Sequence, residues 1–139
     1  MTMETTLAQS VRGRLITAEE QELPVPAAFR YSSADPLAVH VDFPPTASLD
    51  GTAVTWTFAR ALLEEGLSVP AGSGDVRVRP CGRTRTVMEF HSPYGLALVE
   101  FDTPDLHRFL LRSHAVVEVG HEDVGEAVER GLSSLFGGV

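Results

Sequence analysis

Lysine is missing from this chain. All 11 basic residues are arginine, and 19 acidic residues outnumber them, for a net charge of −8 over 139 residues. Such a surface repels phosphate backbones and anionic lipid, so broad nucleic-acid or membrane-surface binding is not expected. Cysteine occurs once, at Cys81, which excludes an intramolecular disulfide and suits a reducing compartment. No uninterrupted apolar run approaches the roughly 20 residues of a membrane helix. The opening MTMETTLAQS carries an acid and no basic stretch, unlike a secretory signal. A cytoplasmic protein without direct membrane insertion is the expectation.

The chemistry of a catalytic or metal centre is thin as well. His107 and His114 lie seven apart, about 10.5 Å along a helix, too far to share an ion held at about 2 Å. His40, His91 and His121 fall on separate elements, and neither HxxxH nor CxxC spacing occurs. The run Ala71-Gly72-Ser73-Gly74-Asp75 is glycine-rich. It lacks the lysine and Ser/Thr of a P-loop, however, and leads into a strand rather than a helix. Ser73 sits in no GxSxG elbow. A nucleophilic cysteine needs a base, and none can be named beside Cys81. No catalytic residue, metal or cofactor is therefore assigned, and the protein is read as not an enzyme.

What the chain does contain is two rounds of strands followed by helix. Leu7 to Thr17 reads as a strand with Leu7, Val11 and Leu15 on one face, and Gly13 inside it marks a bulge or a close backbone approach. Pro24 and Pro26 keep the next stretch extended. Ser32-Ser33-Ala34-Asp35-Pro36 is a turn cluster, and Leu37, Val39, Val41 and Phe43 alternate with smaller or polar residues, the period of a half-buried strand. Ala53 to Thr57 is a short strand, and Phe58 to Glu65 switches to helical period, with Gly66 placed to end the helix in a left-handed conformation. Asp75–Pro80, Arg85–His91 and Gly95–Phe101 read as three more strands. The last is apolar on both faces and so central. Thr103-Pro104-Asp105 is a helix start, with Leu106, Phe109 and Leu110 as its buried stripe. Beyond Gly120, a last helix is expected from Glu122 to Leu135, with Val124, Ala127, Val128, Leu132 and Leu135 on its apolar face. Gly125 and Gly131 each cost it roughly 1 kcal/mol against alanine. The expected fold is α+β: residues 1–139 form one domain of two antiparallel sheet-plus-helix units packed together.

Three stretches taken together resemble the SsgA-like family of actinobacterial sporulation and cell-division proteins. They are LPVPA…RY…ADP…AVH from Leu23, the FAR-x-LL-x-EGL-x-x-P helix, and the GxGDVRV strand start. A lysine-free chain suits a GC-rich genome of that kind. The resemblance implies a Whirly-like fold, a homotrimer, and a role in sporulation-specific septation at the division septum. In the branch this chain looks closest to, it also implies recruitment of the tubulin-like protein FtsZ and positioning by another SsgA-like protein. Among the motif residues, Arg30, Tyr31, Asp35, Pro36, Glu65 and Gly66 are read first as turn, hairpin and helix-cap positions.

Two candidate binding sites follow. The Arg30–Tyr31 pair is of the type common at interface anchors, and Gly120, as a hinge in the terminal helix pair, joins it as a partner-binding candidate. The alternative is a single-stranded nucleic-acid module. Arg77, Arg79, Arg83 and Arg85 form the one basic cluster, and with Tyr94 or Trp56 nearby they suggest a stacking and phosphate groove. A strand face that balances nearby acids is the preferred reading of that cluster, because the chain is acidic overall.

Overall fold

The computed structural model describes residues 4–19, 21–47 and 51–118. Seven strands are present there: β1 Thr6–Ile16, β2 Glu22–Ser32, β3 Asp35–Phe43, β4 Val54–Ala59, β5 Val76–Cys81, β6 Arg85–Ser92 and β7 Gly95–Asp102. Two helices follow the third and last hairpin partners, α1 Arg60–Gly66 and α2 Thr103–Val116. The alternation of apolar and polar residues carries through to burial. In β3, Val39, Val41 and Phe43 are buried while Ala38, His40 and Asp42 are only partly covered.

All strands pair antiparallel in one sheet, in the order β4-β3-β2-β1-β7-β6-β5. The two expected units therefore do not stand apart. β1 pairs with β7 from Gly13↔Phe101 to Ile16↔Leu98, and that pairing fuses the halves. As expected, β7 is central, between β1 and β6.

The sheet is rolled. The Phe43 ring on β3 lies 5.4 Å from that of Phe90 on β6, and the Trp56 ring on β4 lies 5.2 Å from it. Four strand spacings of about 4.8 Å would hold β3 and β6 roughly 19 Å apart in a flat sheet. Curling brings the two edges, β4 and β5, toward each other around a common core. Gly13 permits the central pairing: a Cβ there would come within 2.8 Å of Val99 and 2.9 Å of Phe101, so the close-approach reading holds.

The helices close the concave side. Phe109 of α2 packs 5.5 Å from Phe29, which meets Phe101 edge-on at 5.3 Å. Leu106, Phe109 and Leu110 are buried, as the stripe predicts. Gln9 of β1 moors the helix, donating to the Asp105 carbonyl at 3.1 Å and accepting from Arg112 at 2.9 Å.

Two local expectations change. Phe58 and Ala59 belong to β4, so α1 begins two residues later than its helical spacing suggests. Phe58 pairs with Val39 and is buried in the sheet core, and this tertiary pairing overrides the local period. Gly66 does end α1, but not through a positive φ, which the described glycines reserve for Gly51, Gly72, Gly82 and Gly95. Its missing Cβ is what matters, because one would overlap the Val78 side chain on β5. Thr103 is the first helical residue rather than the cap, and its hydroxyl shares a 2.8 Å hydrogen bond with Thr86 instead.

Candidate interaction surfaces

The Arg30–Tyr31 pair splits across the sheet, as adjacent strand residues must. Tyr31 points inward and is fully buried, with its hydroxyl donating to the Pro36 carbonyl at 2.7 Å. This bond closes the β2–β3 turn from beneath. Above the Tyr31 ring, 4.8 Å from its centre, lies the guanidinium of Arg60. Arg60 is only 2% exposed, and it donates to the carbonyls of Ser113 at 3.1 Å and Val117 at 2.7 Å. A cation thus meets the C-terminal end of α2, where the helix dipole is negative. Arg60 pins the end of α2 to the first residue of α1, and the Tyr31 face shields its charge. Arg60 is the arginine of the FAR-x-LL-x-EGL motif, and its spacing of three from Leu63 puts both on one helix face.

Arg30 points outward and makes a two-pronged contact with Asp42 across the hairpin. Thr55 also donates to Asp42, at 2.6 Å. The hydrogen bond from Arg30, and then that from Thr55, hold the Asp42 carboxyl below its usual range, while partial burial opposes them. Gly120, the third partner-binding candidate, and the expected last helix lie outside the described residues.

The arginine cluster lies on the outer face of β5 and β6 and in the turn between them. Acids from neighbouring strands meet two of its four members. Arg79 pairs with Glu89 at 3.2 Å. Arg85 pairs with Glu100 and lies 3.5 Å from Asp102. Arg14 of β1 completes the set, at 3.2 Å from Glu100 and 2.8 Å from Asp102. Glu100, 7% exposed, is thus shared by two arginines. Its hydrogen bond raises the Arg85 guanidinium above its usual range. Register explains the assembly: Arg14 faces Glu100, Glu100 faces Val87 and Val87 faces Arg79. Val87 is 2% exposed yet stands outside the main core cluster, in register between Arg79 and Glu100. Arg77 donates to the Gly74 carbonyl at 3.3 Å, and Arg83 sits in the exposed β5–β6 turn. Of the proposed stacking aromatics, Tyr94 is 93% exposed at the β6–β7 turn, whereas Trp56 packs inward on Phe90. Among the described residues no group of three or more His, Cys, Asp or Glu is arranged to hold a metal ion.

An open groove of about 360 Å³ runs between the two sheet edges. Trp56 to Ala59 of β4 and Leu62 of α1 form one wall, and Gly72 to Val76 form the other. On the far side of α1, Nε2 of His114 approaches Glu64 to 2.8 Å without hydrogen-bond alignment.

Residues 25–122 match the family described as Streptomyces sporulation and cell division protein, SsgA. The chain belongs to the SsgA family. The sporulation-specific cell division protein SsgB of Kineococcus radiotolerans is 44% identical over 129 residues, covering 86% of this chain and 76% of that protein. SsgB of Streptomyces coelicolor is 44% identical over 137 residues, 96% of this chain and 98% of the relative. A solved structure from work on SsgB mutations that correlate with longitudinal cell division during sporulation of S. coelicolor superposes with a TM-score of 0.78. It is 41% identical and covers 88% of this chain and 96% of that one. The SsgA-family fold is therefore the rolled antiparallel sheet with helices on its concave side. The family is one of cell-division proteins, and no described helix of this member is long and apolar enough to cross a membrane.

Proposed function

We propose that this protein is a non-enzymatic scaffold for sporulation-specific septation, which recruits FtsZ to division sites. It acts as a homo-oligomer, a trimer by family resemblance, in the cytoplasm at the septum, and another SsgA-like protein positions it. The observation that carries this reading is the identity to SsgB, a sporulation-specific cell division protein, over nearly the whole length of both chains. An oligomer multiplies weak contacts into avidity.

The second reading, a single-stranded nucleic-acid module on a Whirly-like fold, rests on the arginine cluster. Pairing of Arg79 and Arg85 with Glu89, Glu100 and Asp102 weakens it, because a phosphate would have to displace carboxylates already in place. Co-sedimentation of the purified protein with FtsZ polymers, with labelled single-stranded DNA in the same tubes, tests both. The protein is expected to pellet with the polymers and leave the DNA in solution. Retention of DNA that falls steeply with added salt, without pelleting, would overturn the scaffold reading in favour of the arginine cluster.

A further inference from the structure

The two edges of the sheet are built differently. β5 carries Arg77, Arg79 and Pro80, and Ala71 bridges its Val78 through two backbone hydrogen bonds of 2.8 and 3.0 Å. Charge, proline and a covering segment are the ordinary guards against pairing with a further strand. β4, with the sequence VTWTFA, has no charge and no proline. Among the described residues it pairs with β3 alone, so alternate residues turn their N–H and C=O groups toward the open side. Its β-branched and aromatic residues suit a strand.

Strand direction decides what fits there. Every pairing is antiparallel, so direction alternates along the order β4-β3-β2-β1-β7-β6-β5. With seven strands the two edges run the same way, and they cannot close on each other as antiparallel neighbours. One more strand, opposite in direction to β4, pairs with it antiparallel. It also brings the count to about eight, at which a barrel interior is just filled by side chains. The groove beside β4 offers such a strand an anchor. Trp56 and Leu62 on its wall are only partly buried although they pack on the core. Asp75 is the one charged residue in the lining, and among the described residues no arginine or histidine pairs with its carboxylate. In a chain of net charge −8, that lip favours a cation.

We propose that β4 is a docking edge for an extended segment of a partner protein. The segment pairs antiparallel with Val54–Ala59, sets an apolar side chain against Trp56 and Leu62, and directs a lysine or arginine to Asp75. In this mode main-chain hydrogen bonds supply affinity, and contacts to alternate side chains supply selectivity. The six residues of β4 span about 20 Å, so a segment of similar length suffices. The inference does not depend on the partner being FtsZ, and failure of the co-sedimentation with FtsZ polymers leaves it standing.

The test selects tryptophan-free octapeptides from a random display library on the immobilised full-length protein. Binding of each synthesised winner is then read through the single tryptophan, Trp56. Winners should alternate apolar and polar residues and carry lysine or arginine. They should shift Trp56 emission to the blue, saturably, and lower its quenching by acrylamide. Methylating one alternate set of their backbone amides should weaken binding roughly tenfold or more, and methylating the other set should leave it, because only one set faces β4. The variant D75N, with an unchanged far-ultraviolet circular dichroism spectrum, should bind the basic winners about fivefold more weakly. Acidic winners, or binding indifferent to methylation of either set, would overturn the proposal. So would a selection in which no peptide shifts Trp56, the result expected if this chain's own residues 119–139 occupy the edge. A blue shift that develops as the protein alone is concentrated would assign the edge to a second copy and overturn it too.

Discussion

The inner and outer faces of β6 and β7 are built from opposite materials on the same strands. Inward, Thr86, Met88, Phe90, Val99 and Phe101 are buried, the last four within the common apolar core. Outward, Arg85, Glu89, Glu100 and Asp102 form a lattice of opposite charges with Arg14 and Arg79. The inner face is held by apolar burial, which is non-directional and insensitive to salt. The outer face is held by register. Its ion pairs exist only because each strand places its charge opposite an oppositely charged neighbour. A face that is neutral in sum and specific in pattern favours correct strand order more than it adds stability.

The strongest way to break this contrast is on the inner face. Phe101→Ala should cost about 3–5 kcal/mol, since it removes a fully buried ring and leaves a cavity beside Phe29. Urea denaturation measures it, and a loss under about 1 kcal/mol would mean the inner face is loosely packed.

Glu100→Gln probes the outer face. It keeps the shape and leaves Arg14 and Arg85 without their shared anion. The expected loss is about 1 kcal/mol at low salt, shrinking as added salt screens the two cations from each other. A loss as large as that of Phe101→Ala, or one indifferent to salt, would make the outer face a second core.

The smallest effect is expected at Asp42→Asn, under about 1 kcal/mol at neutral pH, because the pair is partly exposed. Arg30 lowers the Asp42 carboxyl below its ordinary 3.8. The pair therefore contributes fully at pH values above 3.8 and is lost as the pH falls through the lower folded value. Denaturation midpoints of wild type and variant should differ at pH 7 and draw together as the pH falls below 3.8. A constant difference across that range would refute the electrostatic account.

Much of this contrast was legible in the sequence, because strand faces alternate with a fixed period. The burial of Val39, Val41 and Phe43, the stripe of α2 and the central place of β7 all follow from local pattern. The partners of the arginine cluster were not legible. Glu89 is on the same hairpin as Arg79, but Glu100 reaches Arg85 and Arg14 through a register that joins residues 86 apart for Arg14. The fusion of two expected units into one sheet was hidden for the same reason, since no local signal records that β1 lies beside β7. Tyr31 reads as an interface anchor by type. Only the three-dimensional arrangement shows that its ring lies beneath Arg60 and its hydroxyl serves Pro36. At Gly66 the residue was read correctly as a helix end but for the wrong cause, because the neighbour that demands glycine, Val78, is on a different strand.

The pairing of β1 with β7 has a consequence for how the protein is made. The middle of the sheet joins the first strand to the last, so the contacts at its centre are the most distant in the sequence. Such an arrangement has a high contact order, and closure of so long a loop precedes any reward from the contacts it brings together. Because a chain emerges from the ribosome at about 5–20 residues per second, β1 and β2 are exposed for several seconds before β7 exists. During that interval the β1 edge lacks its eventual neighbour. The polar residues on its outward side, Ser10, Arg12 and Arg14, fit a strand that has to wait in water for the end of its own synthesis.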